Sequence, residues 1–168
     1  MSYQYRSGDF ASIGGDRSSG IAGKSAIVCQ VSPGAKLPAR AHPTDAGADM
    51  FAYVIINGIH AEITVQPGTQ VIVDTGIAIK TPVGYAGFIM PRSSMRSKGI
   101  TGWGDGLIDP DYRGTVKFII ANQGTEPYKI VHGDRIGQIV IKKIELVEFI
   151  DGWNDTARGD GGFGSTGT

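Results

Sequence analysis

The sequence predicts an all-β fold, a barrel, jelly roll or sandwich of short strands. Apolar and β-branched residues come in short or alternating runs, and no stretch keeps a helical period for more than about two turns. Turn residues such as Pro67-Gly68, Thr81-Pro82-Val83-Gly84 and His132-Gly133-Asp134 separate the runs. Many short strands with regular turn signals pack into closed or two-layered β architectures.

The strand runs are, in order, IVCQV from Ile27, MFAYVII from Met50, AEITV from Ala61, QVIVD from Gln70, GIAIK from Gly76, YAGFIM from Tyr85, TVKFII from Thr115 and GQIVIKKIELVEF from Gly137. In the last run Lys142, Lys143, Glu145 and Glu148 alternate with apolar residues, as on a strand with one wet face. Cys29 sits inside the first run, where inert packing is expected of it. Residues 1–25 are rich in Gly and Ser without periodicity and read as a flexible extension, residues 26–150 as the β domain, and residues 151–168 as a polar, glycine-rich tail.

Composition narrows the function classes. At 168 residues and 17.7 kDa the chain is one domain's worth. Sixteen basic residues balance sixteen acidic ones, so there is no overall field to attract nucleic acid or an anionic membrane, and any phosphate affinity must be local. A single cysteine excludes an internal disulfide, and no apolar run has the length of a membrane span, so a soluble intracellular protein is expected. The 26 glycines are about twice what average usage of ~7% would give, a sign of tight turns or of backbone pressed against a ligand. His42, His60 and His132 are scattered without metal-ligand spacing, which predicts surface or turn positions.

Four polar clusters interrupt the strands. Arg92, Ser93 and Ser94 follow Pro91 and offer a guanidinium fork, two hydroxyls and free N–H groups, the equipment of a phosphate site; a short capped helical turn is the plainer alternative. Asp45 and Asp49 flank Ala46-Gly47-Ala48, and Asp109 and Asp111 flank Pro110. Carboxylates near phosphate donors point to magnesium, although singly each is a turn residue. The tail from Arg158 to Gly167 joins a cation, the Phe163 ring and small residues on one strip, suited to wrapping a nucleotide and ordering on binding.

Taken in order, the clusters resemble the five motifs of the trimeric dUTPase family, over roughly Ala39 to Thr168. The motifs read Asp45-Ala46-Gly47-Ala48-Asp49-Met50, Pro91-Arg92-Ser93-Ser94, Gly106 to Gly114, Gly133-Asp134-Arg135-Ile136-Gly137-Gln138, and the tail. The resemblance implies a distorted jelly-roll or β-clip-like barrel, homotrimeric, with a mobile C-terminal arm. It implies hydrolysis of dUTP to dUMP and pyrophosphate with Mg2+, which limits uracil incorporation into DNA. Asp109 would be the general base that orients the attacking water, and Tyr112 would pack where a ribose 2′-hydroxyl would have to fit. Backbone of Gly106, Leu107 and Ile108 and the hairpin Gly102 to Gly106 would face uracil, while Lys117 would add a main-chain contact. Arg92, Ser93, Ser94 and Gln138 would hold the phosphates, with Arg158, Gly164, Ser165 and Thr166 closing from the arm and Phe163 stacking on the base. Asp49 would hold the magnesium through water. Where the family usually has Pro-Arg-Ser-Gly, this chain has Ser94 in the glycine's place.

Two other readings compete. dCTP deaminases resemble dUTPases in fold and share Arg-Ser-Ser and Ile-Asp-Pro, but their proton-shuttling glutamate falls here on Ile119, which cannot move protons. A non-catalytic trimer acting as a regulator would not need Asp49, Asp109, Tyr112, Arg158 and Phe163 together.

Overall fold

A computed structural model describes residues 26–103 and 106–153. Its elements are β1 (Val28–Val31), β2 (Ala48–Phe51), β3 (Ile55–Ile56), β4 (Ile59–His60), β5 (Glu62–Val65), β6 (Gln70–Asp74), β7 (Ile77–Lys80), β8 (Tyr85–Met90), α1 (Ser93–Arg96), β9 (Ile100–Trp103), β10 (Gly106–Ile108), β11 (Lys117–Asn122), β12 (Tyr128–Val131) and β13 (Arg135–Lys143). Among the described residues the fold is all-β apart from the single turn of α1.

Every pairing among the described residues is antiparallel. A four-stranded sheet in the order β10-β8-β13-β2 and a three-stranded sheet in the order β6-β11-β9 carry the motifs, with the pairs β1-β7, β12-β5 and β3-β4 around them. Alternation places one face of each strand in a common core. Met50 of β2, Val73 of β6, Ile77 of β7, Ile120 of β11 and Ile130 of β12 are all under 2% exposed there. Two buried polar side chains tie loops to this core with their bonds made. Thr75 Oγ1 donates to the Val116 carbonyl at 2.8 Å, and Asn122 Nδ2 donates to the carbonyls of Val65 and Glu126 at 2.9 and 2.7 Å.

The strand plan departs from the sequence reading in particular places. The run MFAYVII is broken between Phe51 and Ile55, and β2 begins at Ala48, so Asp49 lies on a strand instead of in a loop. The last run stops as a strand at Lys143, and the apolar residues beyond it lie bare: Leu146 is 71%, Phe149 94%, Ile150 79% and Trp153 89% exposed. The strands β9, β10 and β12 are additions, each of three or four residues, too short to show alternation. Residues 104 and 105 of the expected hairpin Gly102 to Gly106 lie outside the described residues; on either side of them β9 pairs with β11 and β10 with β8. Cys29 is half-buried on β1 opposite Ile79, and burial pushes its thiol up, in line with inert packing.

Candidate active site

Strand register brings three of the motifs into one line. On β13, Gln138 stands opposite Asp49 of β2 on one side and opposite Met90 of β8 on the other. The chain leaves Met90 through Pro91 into Arg92, so a single row across the sheet joins the first, fourth and second motifs. Gly47 is small because this row is tight: a Cβ there would fall 3.0 Å from Gln138 Cδ and overlap the amide oxygen. Gln138 Nε2 in turn donates to the Pro91 carbonyl at 3.5 Å.

Arg92 occupies the cap position of α1 in extended conformation (φ −85°, ψ 141°), and Ser93 and Ser94 form the first turn with exposed side chains. The segment is a short helical turn without a side-chain cap, and that turn presents the hydroxyls and the unbonded first N–H groups outward. Serine in the glycine's place costs nothing here. Asn57 is the only non-glycine residue with positive φ among those described, so Ser94 has an ordinary backbone.

Asp49 carries two guanidinium groups. Its Oδ1 lies 3.0 Å from Arg92 Nε and its Oδ2 lies 3.2 Å from Arg135 Nη1. Arg135 belongs to the fourth motif in the sequence, but its pairing with Asp49 is revealed only by the β2–β13 register. Arg92, Ser94, Lys98, Lys129 and Arg135 line an open cleft of about 550 Å³ with Tyr128 in its wall. The Tyr128 phenol is pushed up by burial and by the Asp134 carboxylate, with Arg92 opposing.

The third motif forms a second cluster. Asp109 follows β10, is exposed, and accepts the Tyr112 N–H on its carbonyl at 3.2 Å, closing a turn over Pro110 and Asp111. Tyr112 is 41% exposed and its hydroxyl donates to the Thr115 carbonyl at 3.1 Å. Its ring lies directly on Gly114, where a Cβ would fall 2.6 Å from Tyr112 Cζ. Asp74 is a further residue missed in the sequence. It accepts Thr115 Oγ1 at 2.7 Å and the Gly76 N–H at 2.7 Å and faces Lys117 Nζ at 3.9 Å, so it fixes the segment on which Tyr112 rests. Asp45 is a turn residue, accepting the His42 N–H at 2.8 Å. Arg158, Phe163, Gly164, Ser165 and Thr166 lie outside the described residues.

One chain keeps the two clusters apart. In the antiparallel pair, Gly106 stands opposite Ile89 and Ile108 opposite Gly87, so Asp109 follows toward Ala86. Arg92 lies six positions further along the chain from Ala86, roughly 20 Å at the rise of an extended strand. Asp109 and Arg92 of one chain therefore lie at opposite ends of β8.

The profile of the dUTPase family matches residues 34–167. This chain belongs to the dUTPase family. A deoxyuridine 5'-triphosphate nucleotidohydrolase of Corynebacterium glutamicum is 44% identical over 136 residues, 78% of this chain and 87% of the relative. One from Mycobacterium leprae is 36% identical over 153 residues, 85% of this chain and 95% of its own. Among solved structures, a point mutant of the Staphylococcus bacteriophage 80alpha dUTPase superposes with a TM-score of 0.73 at 26% identity, covering 84% of this chain and 98% of that one. A second mutant of the same phage enzyme, with dUpNHpp, superposes at 0.71, also 26% identical, covering 86% and 100%. The all-β fold is thus that of the dUTPase family.

The donor set bears on magnesium. Among the described residues of one chain no group of three or more His, Cys, Asp or Glu side chains converges. Magnesium keeps several waters and commonly takes one or two carboxylates together with substrate phosphates. Asp49 beside two phosphate-binding candidates fits an ion that arrives on a triphosphate.

Proposed function

We propose that this chain hydrolyses dUTP to dUMP and pyrophosphate at sites shared between the subunits of a homotrimer. The observation that carries this reading is the row Asp49–Gln138–Met90, which sets Arg92 and its two serines at one end of β8, with Asp109 and Tyr112 at the other. A triphosphate nucleotide needs both sets, and a second copy of the chain can supply the missing half. The bare apolar residues Leu146, Phe149, Ile150 and Trp153 support the same assembly, since they have no cover among the described residues. In each site Arg92, Ser93, Ser94 and Gln138 bind the phosphates, a neighbour's Asp109 orients water toward the α-phosphorus, and that neighbour's Tyr112 fills the space beside the sugar. Uracil faces the backbone of Gly106, Leu107 and Ile108, with Lys117 nearby, and the arm with Arg158, Phe163, Gly164, Ser165 and Thr166 closes from a third chain. An unperturbed aspartate has a pKa near ~3.9 and is a weak base, so Asp109 acts mainly by holding the water in line. Asp49 would hold, through water, a magnesium ion brought by the nucleotide, and that ion would supply charge neutralisation for the departing pyrophosphate.

Deamination has no support. Ile119 stands opposite Ile72 of β6 and Trp103 of β9 in the register of β11, and an isoleucine cannot shuttle protons. Pyrophosphate release measured with dUTP, dCTP, dTTP and UTP tests the proposal directly. Turnover of dUTP far above the other three is expected; ammonia release from dCTP, or no turnover of any, would overturn it.

A further inference from the structure

The Tyr112 ring rests on a support that reaches across to another strand. Residues 111–114 are all exposed, and the Tyr112 hydroxyl finds its bond on the far side of them, donating to the Thr115 carbonyl at 3.1 Å. That carbonyl belongs to the peptide whose N–H, on the buried Val116, donates to the Ile77 carbonyl at 2.8 Å. One bond leaves a peptide free to pivot about it. A second hold acts on the Thr115 side chain, whose Oγ1 donates to Asp74 Oδ2 at 2.7 Å, a short bond of the charge-assisted kind. Asp74 is fixed in its turn, because its Oδ1 accepts the Gly76 N–H at 2.7 Å. It also faces Lys117 Nζ at 3.9 Å, but with side chains 34% and 52% exposed that ion pair is screened by water and holds little. The strand itself does not depend on the Asp74–Thr115 bond. The Val116 carbonyl already accepts the Thr75 N–H at 3.1 Å and Thr75 Oγ1 at 2.8 Å, so the backbone is anchored without it.

We propose that Asp74, acting through Thr115, is a positioning residue that sets how sharply the site separates deoxyribose from ribose. The inference rests on the reading of Tyr112 as the sugar filter and adds to it what keeps that filter in place. The path runs from the Asp74 carboxylate to the Thr115 hydroxyl, and from the Thr115 carbonyl to the Tyr112 hydroxyl. A ring that rejects one hydroxyl group by contact does so only while it cannot yield, so discrimination depends on the stiffness behind the ring as much as on the ring. Asp74 supplies that stiffness from β6, 41 positions away from Thr115 in the chain.

Steady-state kcat and KM for dUTP and UTP, measured on the full assembled chain, test it in Thr115→Val, Thr115→Ser, Asp74→Asn, Tyr112→Phe, Tyr112→Ala and the double variant Tyr112→Phe/Thr115→Val. Valine keeps the shape of threonine and removes the hydroxyl, while the bond from Gly76 to Asp74 stays. The dUTP to UTP ratio of kcat/KM should fall about threefold or more in Thr115→Val, through a gain with UTP and not a loss with dUTP. Thr115→Ser keeps the hydroxyl and should stay near the parental ratio, and Asp74→Asn, which loses the charge, should fall between. Tyr112→Phe cuts the same path, so adding Thr115→Val to it should lower the ratio little further. A merely structural role would lower dUTP turnover and the denaturant midpoint in Thr115→Val with the ratio unchanged. That result, an equal fall in Thr115→Ser, or a full further fall in the double variant would overturn the inference. Should Asp74→Asn fail to fold, the two Thr115 variants decide by the same ratio. A parental ratio in Tyr112→Ala would instead bring down the sugar-filter reading, and the role of Asp74 with it.

Discussion

Replacing Gly114 with alanine should loosen sugar selection without unfolding the protein. Gly114 is not among the positive-φ glycines, so alanine imposes no backbone strain. Its methyl group would nevertheless occupy the place of the Tyr112 ring, 2.6 Å from Cζ, and one of the two must move. The ring is the one free to do so, being 41% exposed and held by one hydroxyl bond to the Thr115 carbonyl at 3.1 Å. Losing an exposed hydrogen bond of this kind costs about 0.5–1.5 kcal/mol, which bounds the loss of stability. Selectivity should suffer more. A side chain that rejects one extra group by contact supplies roughly 1–3 kcal/mol, or about 10–200-fold, and a displaced ring forfeits most of it. The assay is kcat/KM for dUTP and for UTP in the parent, Gly114→Ala and Tyr112→Ala, with denaturant midpoints in parallel. A parental ratio in Gly114→Ala beside a collapsed ratio in Tyr112→Ala would refute the claim that Gly114 seats the ring, and parental ratios in both would place the filter elsewhere.

Asp109→Asn keeps shape and removes charge, so kcat should fall on the order of 10²-fold or more while dUpNHpp binding holds; a loss under about tenfold would remove Asp109 as the base. Truncation after Asn154 should leave the assembly intact on size-exclusion chromatography, whereas truncation after Lys143, which removes the bare Leu146, Phe149, Ile150 and Trp153, should dissociate it. Folding pulls the His132 imidazole below its ordinary value, chiefly by burial, then through His60 and Lys36, against an opposing bond to the Gly34 backbone. The unfolded chain therefore takes up that proton first. The resulting stability is whole above about pH 6.5 and is lost as pH falls through the lowered folded value, and denaturant midpoints of His132→Asn should show a flatter acid limb.

Much of this was legible in the sequence where chemistry and strand pattern coincide. Arg92, Ser93 and Ser94 stand out because polar groups end an apolar run, Gln138 enters only through the family resemblance, and all-β character follows from runs too short for helices. What was not legible depends on register. Nothing in the order of residues says that Asp49 faces Gln138, so neither the double ion pair nor Arg135's part in it could be read. Asp74 looks like the end of a strand until β11 is laid beside it. The histidines illustrate the same limit: 72 positions apart, His60 and His132 stack with ring centroids 4.0 Å apart, and His132 Nδ1 accepts the Val54 N–H at 3.3 Å. Short strands such as β10 carry no periodicity of their own and exist because β8 offers an edge.

The central claim is that phosphate-binding and water-orienting groups of one site come from different chains. Inactive Asp109→Asn and Arg92→Gln proteins, unfolded together in equal amounts and refolded as mixed assemblies, test it most directly. A site works when its aspartate comes from an Arg92→Gln chain and its arginine from an Asp109→Asn chain, so random mixing should restore about a quarter of parental dUTP turnover. Turnover no higher than that of the two variants refolded separately would mean that one chain supplies both groups, and would contradict the account.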